Sequence, residues 1–213
     1  AILAGRVIDR TIRPLFNHNL RNEVQVVITT LSLGEYDPDI LGVIGASLAL
    51  GTSFIPWNGP VGAVRIGKKV AEEGFIVNPS YEVRQDEKYE LDVIACGKDG
   101  TINMIEVGSK EVSEEVLNQA LEAANAELKK LQEFQEKVIK EIGVSKAEVK
   151  EPEIPAVLKS LFESAILSKM ETIMGEPGKK KIYELEEEWF ALIDKEMPEA
   201  DHKLARAMYH EAV

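Results

Sequence analysis

At Ser113 the hydrophobic pattern changes period. Before it, apolar residues come in short runs rich in branched side chains, separated by glycine and proline: Glu23 to Leu33, Pro60 to Ile66, Glu90 to Cys96 and Thr101 to Val107. After it, Leu117, Leu121, Ala124, Leu128, Leu131, Val138 and Ile142 alternate spacings of four and three, with Gln135 at the one polar seam position. Such spacing belongs to a helix that offers one stripe to a neighbour. Ser113 with Glu114 and Glu115 behind it starts the helix, and Gly143 ends it. About thirty residues at roughly 1.5 Å each span on the order of 45 Å, so the helix should lie along the sheet of its own domain or bend.

Ahead of the long helix, the order is α/β. The first sixteen residues, AILAGRVIDRTIRPLF, read as a helix that stops at Pro14, with Ile2, Leu3, Val7, Ile8 and Ile12 available to a core. Glu23 to Leu33 reads as a strand covered on both faces. Asp37 is the expected N-cap of a helix with Pro38 at its first position, and the run Ile40 to Leu50 is apolar almost all round, which predicts deep burial. Gly97-Lys98-Asp99-Gly100 should join two strands as a hairpin turn. Beyond the long helix, EVKEPEIP at 148–155 is the expected linker. Three helical patterns follow: Ala156 to Met174, broken by Gly175, Pro177 and Gly178; Lys179 to Glu196; and a last helix opened by Pro198.

The net charge is −12, which excludes a nucleic-acid platform over the whole surface and confines any contact with a phosphate backbone to a local patch. The N-terminal stretch carries Arg6, Arg10, Arg13 and Arg21 against Asp9 alone, while acids dominate from 82 to 92 and beyond 111. Arg6, Arg10 and Arg13 recur at i, i+4 and i+7, so a helix puts all three on one face. Planar guanidinium forks grouped in this way suit a run of phosphates. The other reading of the same spacing is that Asp9 pairs with Arg13 one turn away and the remaining arginines are solvated. No run reaches the length of a membrane span. The lone Cys96, in the apolar run DVIAC, reads as a buried, inert thiol. The glycines of GVIGAS and GPVGAVRIG match neither the dinucleotide fingerprint nor a phosphate loop, and no histidine cluster supports zinc.

Four motifs, GRVIDRTIRPLF, NEVQVV, DPDILGVIGASLAL and IPWNGPVGAVRIG, resemble in order and spacing the first RNase PH-like core domain of the polynucleotide phosphorylase family, also called polyribonucleotide nucleotidyltransferases. The charged helical tail resembles the linking helix and all-helical domain that follow there. The resemblance implies an α/β (α+β) RNase PH-like core, similar to domain 2 of ribosomal protein S5, over residues 1–147. That core would lack its N-terminal part and include the linking helix at about 113–142. A small all-helical domain would occupy 148–213, with its C-terminal end incomplete. It implies a parent enzyme that degrades RNA from the 3′ end with inorganic phosphate, releases nucleoside diphosphates, requires Mg2+, and works in the cytoplasm as a homotrimer with possible RNA-degradation protein partners and no membrane.

In that family serine hydroxyls at the start of the GASLAL-type helix of the second core bind phosphate, and aspartates on a later strand support the metal. Here Asp37, Pro38 and Asp39 stand at the helix start, and Arg84 and Gln85 stand where an acid is expected, although Glu90 and Asp92 are kept. The expectation is therefore a catalytically degenerate scaffold and RNA-channel wall with no catalytic or metal residue of its own, the Mg2+ site lying outside this segment. Arg6, Arg10 and Arg13 are its candidate RNA- or phosphate-binding residues. The alternative is a non-catalytic adaptor that binds RNA or protein.

Overall fold

The computed structural model describes residues 2–20, 22–150, 153–175 and 178–213. Arg21, the centre of the linker at 151–152 and the helix break at Pro177 lie outside the described residues. The chain divides into two compact units, Ala1–Val149 and Lys150–Val213.

The first unit is built on a four-stranded antiparallel sheet in the order β2-β1-β3-β4, with β1 at Gly62–Lys69, β2 at Ile76–Val77, β3 at Tyr89–Lys98 and β4 at Thr101–Ser109, the short helix α3, Tyr81–Arg84, lying between β2 and β3 in the chain. Alternation along the central strands feeds two cores. Val64 and Ile66 of β1 with Leu91, Val93 and Ala95 of β3 pack against Ala120, Ala124 and Leu128 of helix α4, Glu114–Ile142. Residues of the opposite parity, Ala63, Ile94 and Cys96, join Met104 of β4 in packing against α1, Ile2–Ile12, and α2, Pro38–Thr52. Both faces are covered, which is why β1 and β3 read as nearly continuous apolar runs. The β3–β4 hairpin turns on Asp99 (φ 51°) and Gly100 (φ 75°), the positive angles that a two-residue type I′ turn requires.

Both ends of the long helix are where the sequence puts them: the Ser113 hydroxyl accepts from Val116 N–H, and Gly143 caps the last turn. Gln135 is fully buried and donates to the Val61 carbonyl at 3.0 Å. Past the helix, the chain folds back onto the end of α2. Val144 N–H donates to Thr52 O, Ala147 N–H donates to Phe54 O, and the Lys146 ammonium donates to the carbonyls of Leu50, Gly51 and Ser53 at 2.6, 2.9 and 2.7 Å.

Three sequence expectations do not hold in this unit. Residues 23–33 form no strand: the segment is extended, with Val24 and Val26 against the core and Leu31 94% exposed. Alternation is present, but no backbone hydrogen bond joins it to a neighbour among the described residues, and a strand exists only when paired. Ile2 and Leu3 are exposed; the buried face of α1 is Val7, Ile8, Thr11 and Ile12. Helix α2 is not buried all round, since Leu41, Gly45 and Ala49 face solvent.

The second unit is helical. Helix α5, Ala156–Phe162, runs through a π-turn at Glu163–Leu167 into α6, Ser168–Met174, followed by α7, Lys180–Glu196, and α8, His202–Ala212. Its core gathers Leu158, Phe162, Ile166, Met170, Leu185, Trp189, Ile193, Ala205, Met208 and Tyr209. Helix α8 starts at His202 rather than Pro198, because the Asp201 side chain accepts from Lys203 N–H and so fixes the cap there.

Candidate nucleic-acid interface

Helix α1 is held by its C-terminal end. Trp57 Nε1 donates to Ile12 O at 3.0 Å and Asn103 Nδ2 donates to Thr11 O at 3.1 Å, which satisfies two carbonyls that a helix end leaves open. With Val7, Ile8, Thr11 and Ile12 buried, the opposite face carries Arg6 and Arg10, and Arg13, the first residue of the 3-10 turn Arg13–Leu15 that continues the helix, follows them; all three are exposed. Four residues advance a helix by about 40° past a full turn and seven fall about 20° short, so the three positions share one sector. Arg13 is engaged: its Nε and NH2 donate to both carboxylate oxygens of Asp9 at 2.7–3.1 Å. That pair is solvent-exposed and contributes little to stability. Arg6 and Arg10 form no ion pair among the described residues, so the face brings together two free forks and one shared with Asp9. Beside Arg13 lies a cleft of about 340 Å³ between the end of α1 and the extended segment.

The N-terminus of α2 holds a second group of charges. Asp37 caps it, accepting from Asp39 N–H at 3.4 Å, and its Oδ2 also accepts from Arg65 NH2 at 2.5 Å and Arg84 NH1 at 2.7 Å. Arg65, in the middle of β1, donates through NH1 to Asp92 Oδ2 at 2.7 Å; Tyr89 O–H donates to Asp92 Oδ1 at 3.3 Å. Arg65 points to the α2 side because it shares the parity of Ala63, and Asn78 brackets its backbone through Arg65 N–H to Asn78 Oδ1 and Asn78 N–H to Arg65 O. Burial pushes the Asp37 carboxyl up, but the hydrogen bond from Arg84 and the charge of Arg65 outweigh it and hold it below the usual carboxylate range. Burial, reinforced by the charge of Asp37, raises Asp39. Burial also raises the Tyr89 hydroxyl, with Asp92 adding to the effect.

Two guanidiniums thus sit where the carboxylates Asp37 and Asp92 converge. The arrangement does not fit a magnesium ion, which needs carboxylate oxygens free to coordinate it; both aspartates already bind cations of the chain. Glu90 faces Lys68 at 3.9 Å. Among the described residues no group of three or more His, Cys, Asp or Glu is placed to hold a metal. Cys96 is fully buried, and burial pushes its thiol up to about 11, consistent with an inert side chain. Asp37, Arg84 and Asp92 stand out in the sequence; Arg65 does not, although a signal for it is present. One arginine inside the apolar run GAVRIG must find a counter-charge or leave the sheet.

The antiparallel sheet with α4 across one face and α1 and α2 across the other is an α+β architecture, and residues 59–127 match the 3′ exoribonuclease family, domain 2. The class the chain resembles is therefore that of the RNase PH-like exoribonucleases. More particularly, it is similar to the polyribonucleotide nucleotidyltransferase of Thermosipho melanesiensis (44% identity, 78% of this chain and 24% of that protein). It is likewise similar to those of Persephonella marina (38%, all of this chain and 30% of that protein) and Fervidobacterium nodosum (40%, 95% and 30%). The chain spans less than a third of the length of these relatives. No helix among the described residues is long and apolar enough to cross a membrane.

Proposed function

We propose that this chain is a segment of a polyribonucleotide nucleotidyltransferase, an enzyme that shortens RNA from its 3′ end with inorganic phosphate, and that the segment itself is a catalytically degenerate scaffold and RNA-channel wall. The observation that carries the reading is the ion network at the start of α2. An anion-binding helix start needs free N–H donors and positive potential. Here Asp37 takes the cap, Pro38 lacks an N–H, and Arg65 and Arg84 are both committed to Asp37. Binding is left to the exposed face of α1, where Arg6, Arg10 and Arg13 meet RNA phosphates. The Mg2+ of the whole enzyme belongs to residues outside this segment, and a cytoplasmic homotrimer is the assembly the resemblance implies.

The test uses the chain with poly(A), phosphate and Mg2+. No ADP should be released, whereas single-stranded RNA should bind. The double variant Arg6→Gln/Arg10→Gln should weaken that binding and reduce the slope of log affinity against log salt by about 0.7 for each phosphate no longer neutralised. Release of ADP that survives repurification would overturn the degenerate reading. Unchanged affinity and salt slope in the double variant would overturn the arginine face.

A further inference from the structure

We propose that the cleft beside Arg13 takes a nucleobase of a single-stranded RNA whose phosphates lie on the arginine face, an inference that rests on the reading just given and extends it from backbone to base. Three features of the cleft point this way. Its apolar walls come from Phe16, Leu20, Val24 and Val26, brought together because the extended segment turns its even-numbered valines inward. Phe16 offers the one aromatic face on which an unstacked base can lie, the aliphatic side chains close the rest of the wall, and stacking on an aromatic ring tolerates any base. The polar groups at the cleft are the Asp9–Arg13 pair and two amides: Asn22 has no hydrogen-bond partner among the described residues, and Asn17 uses its Oδ1 on Asn19 N–H while its amide nitrogen donates to nothing in the described residues. An amide offers both a donor and an acceptor, the complement of a base edge.

Charge supplies the direction. Arg13 lines the cleft itself and Arg10 lies one turn back along α1, so a strand whose phosphates meet these forks passes the mouth. A volume of about 340 Å³ is within the range of small-ligand sites and has room for a base.

The experiment compares the affinity of this chain for an oligo(A) and for an abasic oligonucleotide of the same length and charge. The abasic strand should bind about fivefold more weakly, the low end of what a stacked base contributes. Asn22→Ala, at an exposed position, should narrow that gap while leaving abasic affinity and the salt slope unchanged. Equal affinity for the two strands, with Arg6→Gln/Arg10→Gln still weakening both, would overturn the base site and leave the arginine face standing. A double variant without effect would instead overturn the reading on which the inference rests, and failure of both strands to bind would overturn both. Displacement of oligo(A) by equimolar AMP would assign the cleft to a free nucleotide and overturn the RNA assignment.

Discussion

A charged side chain in the middle of a buried strand forces a choice on its surroundings, and around Arg65 the choice is visible. Its guanidinium is shared between Asp37 and Asp92, with Arg84 as second cation, so no charge in the group stands alone. Removing one partner of such a buried group costs about 3–5 kcal/mol, more than the intact pair contributes. Asp37→Asn should therefore lower stability at neutral pH by roughly that order. The pH sign follows from the depressed Asp37 carboxyl. Its contribution is complete above the ordinary aspartate range, about pH 4, and is lost as pH falls through the lower folded value. Urea unfolding midpoints of native and Asp37→Asn chains should differ at pH 7 and converge in strong acid. Curves that stay parallel down to about pH 2, below the ordinary aspartate range, would show that Asp37 titrates as an ordinary surface carboxylate. A charge out of place at position 65 is legible in the sequence, but its partners lie 27 and 28 residues away, and only the fold joins them.

Among the helices and strands, legibility depends on how local the deciding chemistry is. Ser113, Asp37 and Gly143 act within a turn of their own position, and the helices they bound stand where the residues put them. The β3–β4 hairpin is likewise decided by Asp99 and Gly100. Residues 23–33 carry the right composition for a strand, yet strand formation needs a partner that composition does not name. Pro198 fails as a helix start for a related reason, since Asp201 supplies a better cap three residues on. The Lys146 strap has no local signal at all: its ammonium reaches carbonyls 93 to 96 residues back. A cation at a helix C-terminus with three acceptors stabilises by about 1 kcal/mol. Lys146→Met should lower the melting temperature by a few degrees. It should also expose the segment after α4 to protease, while Lys150→Met does neither. Equal effects from the two substitutions would remove the special role of Lys146.

For the protein in solution, the extended segment is the weak place. Val27, Leu31 and Leu33 are 74%, 94% and 77% exposed, beside Tyr36 and Leu41 at 58% and 65%. An unpaired extended chain with apolar side chains in solvent is a template for association. The isolated chain should therefore appear in light scattering as oligomers that grow with concentration. Leu31→Lys/Leu33→Lys should return it towards monomer without changing the melting temperature. A sharp monomer at high concentration in the unmodified chain would show that the segment is harmless as it stands. The general architecture, an α+β unit followed by helices, is open to a reader of the hydrophobic period; this exposed run is not, because the same valines and leucines would be core in a paired strand.

The π-turn at Glu163–Leu167 carries a consequence for how this helix tolerates change in length. Leu158, Phe162, Ile166 and Met170 are buried at successive steps of four. On a regular helix each such step drifts by about 40°, and three steps would carry the last side chain about a third of the way round. The wider turn absorbs that drift, so the helix behaves as one that has accepted a single extra residue and kept both halves in place. Deleting the exposed Ser164 should erase the surplus: the same four side chains then fall at spacings of four, three and four, the ordinary seam. Ser164 deletion should leave helical content and melting temperature nearly unchanged by circular dichroism. Deletion of Glu187, in the regular α7, should unfold the unit. A protein usually pays for a residue removed from the middle of a helix; this one has a position where shortening restores regularity.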